Sequence, residues 1–218
     1  MAKRYELIVF DWDGTVMDST AVIATSIQSA CRDLDLPVPS DEDARHVIGM
    51  GLVEALRHAV PEAPEHMYEP LADRYRHYFL AQDQTIPLFS GAHETIAELH
   101  GGGYALAVAT GKSRKGLDRV MDSSGLRAYF HASRTADETF SKPHPAMLLE
   151  LMDELGMQPE QVLMIGDTTH DLQMAINAGV DAVGMTYGAH PKEQLRELQP
   201  LALLDDFHAL RNWLRANA

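Results

Sequence analysis

The sequence predicts an α/β protein in which a parallel sheet carries an inserted, all-helical module. Three features point there: short apolar runs rich in β-branched residues recur, helix-like stretches separate the later runs, and one long span has helical periodicity without a strand. At 218 residues the chain exceeds the usual single domain of about 100–150 but falls short of two, which suits one core plus an insertion.

The first run is Leu7–Phe10, and runs at 104–109, 162–165 and 182–185 repeat its character. A weaker run at 129–133 offers a further strand. From about Asp18 to Leu88 the pattern changes. Val22, Ile27 and Ala30, then Val53 and Leu56, then Leu71, Tyr75, Tyr78 and Phe79 recur at helical spacing. Pro37, Pro39, Pro61 and Pro64 break this span into separate helices, and the segment from Ile86 to Gly91 marks the return to the core. The expected division is a core of residues 1–17 and 88–218 with a helical insertion of residues 18–87. Because the insertion follows the first strand directly, its hinges adjoin whatever the end of that strand does. Ligands of open parallel sheets bind outside the carboxyl ends of the strands. A mobile lid over that site follows from the layout.

Composition narrows the function. Apolar residues at 45% and charged residues at 23% are near globular averages, and no stretch is biased enough to suggest disorder. A formal charge of −14 works against binding nucleic acid or an anionic membrane through bulk electrostatics, so an anionic substrate has to be met locally. The run Leu7–Phe10 is too short for a signal-peptide core, and nothing approaches the roughly 20 apolar residues of a membrane span. A single cysteine, Cys31, excludes an internal disulfide and falls in an amphipathic stretch over 21–34, where it reads as a packed thiol. A cytoplasmic protein is expected.

Four polar clusters stand at strand ends. Asp11-Trp12-Asp13-Gly14-Thr15 follows the first run; it reads either as a turn or as a pair of carboxylates placed for chemistry. Thr110-Gly111-Lys112-Ser113 follows the second, where a hydroxyl and free N–H groups suit phosphate oxygens or a plain helix cap. It lacks the spacing of a Walker loop. Lys142 precedes Pro143 and Pro145, which restrict where it points, although a solvated lysine is the simpler reading. Gly166-Asp167-Thr168-Thr169-His170-Asp171 follows the 162–165 run, with Asp167 and Asp171 four apart on one face if a helix begins there. Paired hard oxygens favour magnesium, while Asp171 equally suits a helix cap. Coincidence of all four at the ends of one sheet fits phosphoryl transfer, which needs a nucleophile, a proton donor, a divalent cation and fixed groups for the phosphoryl oxygens.

In that order the clusters resemble the Asp-x-Asp-Gly-Thr, Ser/Thr, Lys and Gly-Asp-x-x-x-Asp motifs of the haloacid dehalogenase superfamily, and the resemblance spans nearly the whole chain. It implies a Rossmann-like core, and the helical insertion looks like the small cap of the phosphoglycolate phosphatase and β-phosphoglucomutase group. It further implies that Asp11 is the nucleophile, that Asp13 acts as acid and then base, and that Thr110, Gly111 and Lys142 bind phosphoryl oxygens. Mg²⁺ would be ligated by Asp11, the Asp13 carbonyl and Asp167, with Asp171 nearby. Asp13 must protonate a leaving oxygen, which asks for surroundings that favour its protonated form. Two departures stand out: Ala146 occupies a position that is often Asp in this group, which should alter helix capping, and Trp12 is a bulky choice between the two aspartates. His144 and His170 adjoin motif residues but have no metal-binding spacing with another histidine, so both are expected to be exposed and to ligate nothing.

The expected activity is hydrolysis of a small, phosphoglycolate-like phosphate monoester. Alternatives are a sugar phosphomutase or a pyrophosphatase, which the motifs do not separate. A phosphonate hydrolase would require a cap lysine, and the span from Asp18 to Leu88 contains none. A phospho-acceptor signalling module has a similar acidic pocket but no helical lid. Specificity is placed in the cap, at Arg45 for a second anionic group and at the Gly49-Met50-Gly51 turn for close approach to substrate. The partner is a small phosphorylated molecule; whether the chain is a monomer or a homodimer is open.

Overall fold

The computed structural model describes residues 4–218, so residues 1–3 of the expected core segment lie outside the described residues. Six parallel strands form one sheet: β1 (Leu7–Phe10), β2 (Ala105–Thr110), β3 (Ala132–Thr135), β4 (Val162–Gly166), β5 (Asp181–Met185) and β6 (Ala202–Leu204), in the order β3-β2-β1-β4-β5-β6. β1 is central, with Phe10 level with Val108 on one side and Ile165 on the other.

Alternation along the strands explains why both faces are dry. Ile8, Phe10, Leu106, Val108, Leu163 and Ile165 enter one apolar cluster, and Leu7, Val9, Ala107, Ala109, Val162 and Met164 enter a second. The first face is covered by α5 (Ala92–Gly101), α6 (Arg114–Ser124) and α10 (Phe207–Asn217), the second by α7 (Ala146–Leu155), α8 (Thr169–Ala178) and α9 (Lys192–Glu197). Helices on both faces of a parallel sheet make this a doubly wound α/β fold.

Between β1 and β2 lie α1 (Thr20–Asp33), α2 (Asp41–His46), α3 (Leu52–Ala59) and α4 (Tyr68–Leu80), with no strand among them. Their apolar stripes, including Ile23, Ile27, Leu56, Leu71 and Phe79, are buried together. Ser40 starts α2 by accepting the Asp43 amide at 3.0 Å, with three acids in the first turn where the helix dipole favours them. The chain leaves and re-enters the core side by side: the Asp18 amide donates to the Pro87 carbonyl at 3.0 Å and the Phe89 amide to the Val16 carbonyl at 3.0 Å.

The weak run at 129–133 is displaced in the structure, where 127–129 form a 3-10 turn and the strand begins at Ala132. Half-buried and at the sheet edge, β3 lacks the apolar density of the inner strands. No described helix is long and apolar enough to cross a membrane.

Candidate active site

Three carboxylates converge where β1 and β4 end. Asp11 directly follows β1 and its amide donates to the Ile165 carbonyl at 2.9 Å; Asp167 follows Gly166; Asp171 sits in the first turn of α8. All three are fully buried, with ligand oxygens within 4.8 Å of one another. The walls are tight: a Cβ on Gly188 would lie 2.0 Å from Asp167 Oδ2. Asp167 Oδ1 accepts from the Thr15 hydroxyl at 2.6 Å and Oδ2 from the Ala189 amide at 2.7 Å.

Lys142 is not solvated. Its fully buried ammonium stands 2.7 Å from Asp11 Oδ1 and 2.7 Å from Asp171 Oδ1. Burial opposes its charge, but the Asp11 and Asp171 carboxylates outweigh burial and hold Lys142 above the ordinary lysine range. Burial pushes the Asp11 carboxyl well up, against the pull of Lys142 and with Asp171 and Asp167 adding to the rise. Asp167 is pushed up to about 7 by burial and then by the charge of Asp171.

This acidic cluster suits a hard divalent cation. Three buried carboxylates face a single buried ammonium, so charge is left uncompensated, a costly state in a dry interior. Asp11 Oδ2 is buried with no hydrogen-bond partner among the described residues. An all-oxygen donor set selects against the softer metals that prefer thiolate or imidazole ligands. Both sequence readings of Asp171 coexist: Oδ2 accepts the Thr168 amide at 3.0 Å in a capping box that starts α8, while Oδ1 faces Lys142.

Asp13 lies apart from that trio, at the edge of the cavity. Its Oδ1 accepts from the Ser19 hydroxyl at 2.6 Å and is 3.0 Å from Lys112 Nζ. A hydroxyl and an ammonium thus hold the Asp13 carboxyl in place from two sides. Lys112 belongs to the Thr110-Gly111-Lys112-Ser113 cluster, where nothing local marks it for a role. It is nearly buried and lies 4.7 Å from the centre of the Phe79 ring of α4.

Thr110, buried at the end of β2, accepts the Lys112 amide on its hydroxyl at 3.2 Å. At Gly111 a Cβ would lie 2.4 Å from the Met50 carbonyl oxygen and 2.6 Å from that of Gly49, so the cap turn rests directly on the second motif. Gly49 and Met50 line a cavity of about 300 Å³ between the cap helices and α6, which Asp13 and Lys112 border. The Gly51 amide donates to Ser141 Oγ at 2.8 Å, beside Lys142. Arg45 does not line this cavity: Nε donates to Asp41 Oδ2 at 2.8 Å and Nη1 to Thr20 Oγ1 at 3.1 Å.

Histidines tie the cap to the fourth motif. His170 Nε2 lies 2.8 Å and His190 Nε2 2.9 Å from the His46 carbonyl at the end of α2. Because His190 Nδ1 accepts the Thr169 amide at 3.0 Å, the His190 tautomer that donates from Nε2 fits the network. Burial lowers the His170 imidazole below the usual range and takes His190 down to about 4. His170 is thus half-buried and engaged, where an exposed histidine was expected. His144 is exposed, and its Nδ1 accepts the Ala146 amide at 3.2 Å, supplying the cap that Ala146 lacks.

An acidic trio and a buried lysine stand at the carboxyl edge of a parallel sheet, under helices that bound a cavity, which is where doubly wound α/β enzymes place their active sites. A model of the haloacid dehalogenase-like hydrolase family matches residues 8–185, and the chain belongs to that family. It is 36% identical over 209 residues to the "Probable phosphatase IndB" of Dickeya dadantii, covering 92% of this chain and 90% of that one. Identity to the phosphoglycolate phosphatase of Vibrio cholerae is 32% over 219 residues, covering 95% and 96%. The crystal structure of a "predicted phosphoglycolate phosphatase" from Haemophilus somnus superposes with a TM-score of 0.86 at 28% identity, covering 97% of this chain and 99% of that one.

Proposed function

We propose that this protein is a Mg²⁺-dependent phosphatase that hydrolyses a small phosphate monoester through a phosphoryl-aspartate on Asp11. The observation that carries this reading is the buried Lys142 ammonium shared between Asp11 and Asp171 inside the acidic trio. Few roles other than gathering anionic oxygens explain a fully buried lysine with so many carboxylates around it.

In the first half-reaction an Asp11 carboxylate oxygen attacks phosphorus, the bond to the leaving oxygen breaks, and Asp13 gives that oxygen its proton. In the second, Asp13 as carboxylate takes a proton from water, the water oxygen attacks phosphorus, and the bond to Asp11 breaks to release phosphate. Lys112 Nζ, 3.0 Å from Asp13 Oδ1, would orient that carboxyl in both steps. Lys142, the Thr110 hydroxyl and the Gly111 amide meet the phosphoryl oxygens. Asp11, Asp167 and the Asp13 carbonyl would hold Mg²⁺, with Asp171 adjoining, and the ion supplies charge neutralisation between anionic nucleophile and anionic substrate.

Residues 18–87 act in this reading as a cap over residues 1–17 and 88–218, seated by the contact of Met50 with Gly111 and by the two histidines on the His46 carbonyl. The relatives' names make phosphoglycolate the first substrate to try. Purified protein is expected to release phosphate from at least one ester of a panel holding phosphoglycolate, p-nitrophenyl phosphate, glucose phosphates and pyrophosphate, and Asp11→Asn is expected to abolish release while remaining folded. Isomerisation of the sugar phosphate without net release would identify a mutase, pyrophosphate as the preferred substrate a pyrophosphatase, and more than trace activity in folded Asp11→Asn would exclude the assigned nucleophile.

A further inference from the structure

We propose that the leaving group this enzyme accepts is a neutral, largely apolar body, of the size of a small ring or a branched alkyl chain, and not the two-carbon acid of phosphoglycolate; the inference rests on the phosphatase reading above. The cavity beside Asp13 is where a leaving group has to lie, because Asp13 is the group that hands it a proton, and Gly111 and Lys112 bound the same end. At about 300 Å³ it stands at the lower end of the roughly 300–1,000 Å³ of pockets that enclose small organic ligands.

Its lining is what decides the class. Ile23 and Ile27 of α1, Val47 and Met50 of the cap turn, Leu52 of α3 and Phe79 of α4 all face it. Tyr75 and Ser113 supply the two side-chain hydroxyls of the lining, so a polyhydroxylated sugar placed here would set most of its hydroxyl groups against the apolar wall. Four of the lining residues are cationic, Arg76, Lys112, Lys115 and Arg119, against Asp13 as the single acid, which disfavours an ammonium-bearing leaving group in a chain whose net charge is −14. A second anionic group has little support either. Lys112 is paired with Asp13, Arg76 with Asp73 and Arg119 with Asp83; Lys115 alone has no ion-pair partner among the described residues, and it is exposed. Arg45, the residue placed to read a carboxylate, is turned away to Asp41 and Thr20.

Straight-chain monoalkyl phosphates test this cleanly, because beyond ethyl the acidity of the departing alcohol barely changes while its apolar surface grows. Burying each added methylene is expected to raise kcat/KM about fourfold until the cavity is full, or about 250-fold from ethyl to hexyl. Hexyl phosphate should then outpace phosphoglycolate. Leu52→Asn, and separately Leu80→Asp at the exposed rim of the same cavity, are expected to cut the hexyl-to-ethyl ratio at least tenfold, with circular dichroism confirming the fold. A flat chain-length profile, or phosphoglycolate preferred over hexyl phosphate, overturns the inference while leaving the phosphatase reading intact. Absence of phosphate release from every ester, p-nitrophenyl phosphate included, overturns both.

Discussion

Gly111→Ala isolates the contact between cap and core with one methyl group. Gly111 is not among the glycines with positive φ, so alanine meets no backbone penalty there and would even reduce the entropy of the unfolded chain. The new Cβ would instead sit 2.4 Å from the Met50 carbonyl oxygen and 2.6 Å from that of Gly49. Ordinary carbon–oxygen contacts lie near 3.4 Å, so the turn has to withdraw by about 1 Å, and both obstacles are backbone atoms that no rotamer change removes. A misplacement of that size costs a catalytic geometry about a hundredfold. We therefore predict a kcat/KM about a hundredfold lower in Gly111→Ala, with a thermal midpoint within a few degrees of wild type because the cap can swing away from the motif. Steady-state kinetics and a melt by circular dichroism measure the two quantities. Activity within twofold of wild type would show that turnover does not need the turn at Gly49 and Met50 to rest on Gly111.

Three further outcomes follow from the same geometry. Mg²⁺ at about a hundredfold above its dissociation constant is expected to raise the melting temperature of wild type by about 5–10 °C and that of Asp167→Asn far less, and chelation should remove wild-type activity; an equal shift in both proteins would refute the assigned ligand set. Cys31 is buried, and burial pushes its thiol up to about 11, so at pH 8 the thiolate is about a hundredfold scarcer than in a free cysteine. A disulfide reagent should label it only on unfolding, and rapid labelling of the native protein would contradict the packing. Because Arg45 is engaged by Asp41 and Thr20, Arg45→Ala is expected to change kcat/KM by the same small factor for phosphoglycolate and p-nitrophenyl phosphate, and a selective loss on the former would restore a substrate-reading role.

What the sequence made legible is what depends on local pattern. Four apolar runs located β1, β2, β4 and β5, because strands buried on both faces are dense in apolar residues wherever they occur. The motif residues Asp11, Thr110, Lys142 and Asp167 were legible for a related reason: each is polar immediately beside such a run or a proline pair. β6 escaped because it has three half-buried residues at a sheet edge, too few to show a period. Lys112 escaped because its partners, Asp13 and Phe79, are far from it in sequence. The same holds for His46, His170 and His190, which meet only through the fold. For Arg45 the helical spacing points to a neighbour of the Gly49 turn, whereas the side chain is bonded to Asp41 four residues earlier, a pairing that i,i+4 spacing offers equally.

The paired crossings between cap and core have a consequence for how the chain can be rebuilt. With Asp18 bonded to Pro87 and Phe89 to Val16, the whole excursion from one crossing to the other begins and ends at nearly the same point. To the sheet it is topologically a hairpin loop, and loop-closure entropy grows only slowly with the length of what is looped out. Its helices pack extensively on one another, α1 against α2 and α4 and α3 against α4, although their apolar residues also join the cluster under the sheet. The seam is therefore a natural place for grafting: a different set of helices joined at the same two crossings would meet an unchanged set of carboxylates, and on the proposed function the leaving group preferred could change while Asp11 and its neighbours stay in place.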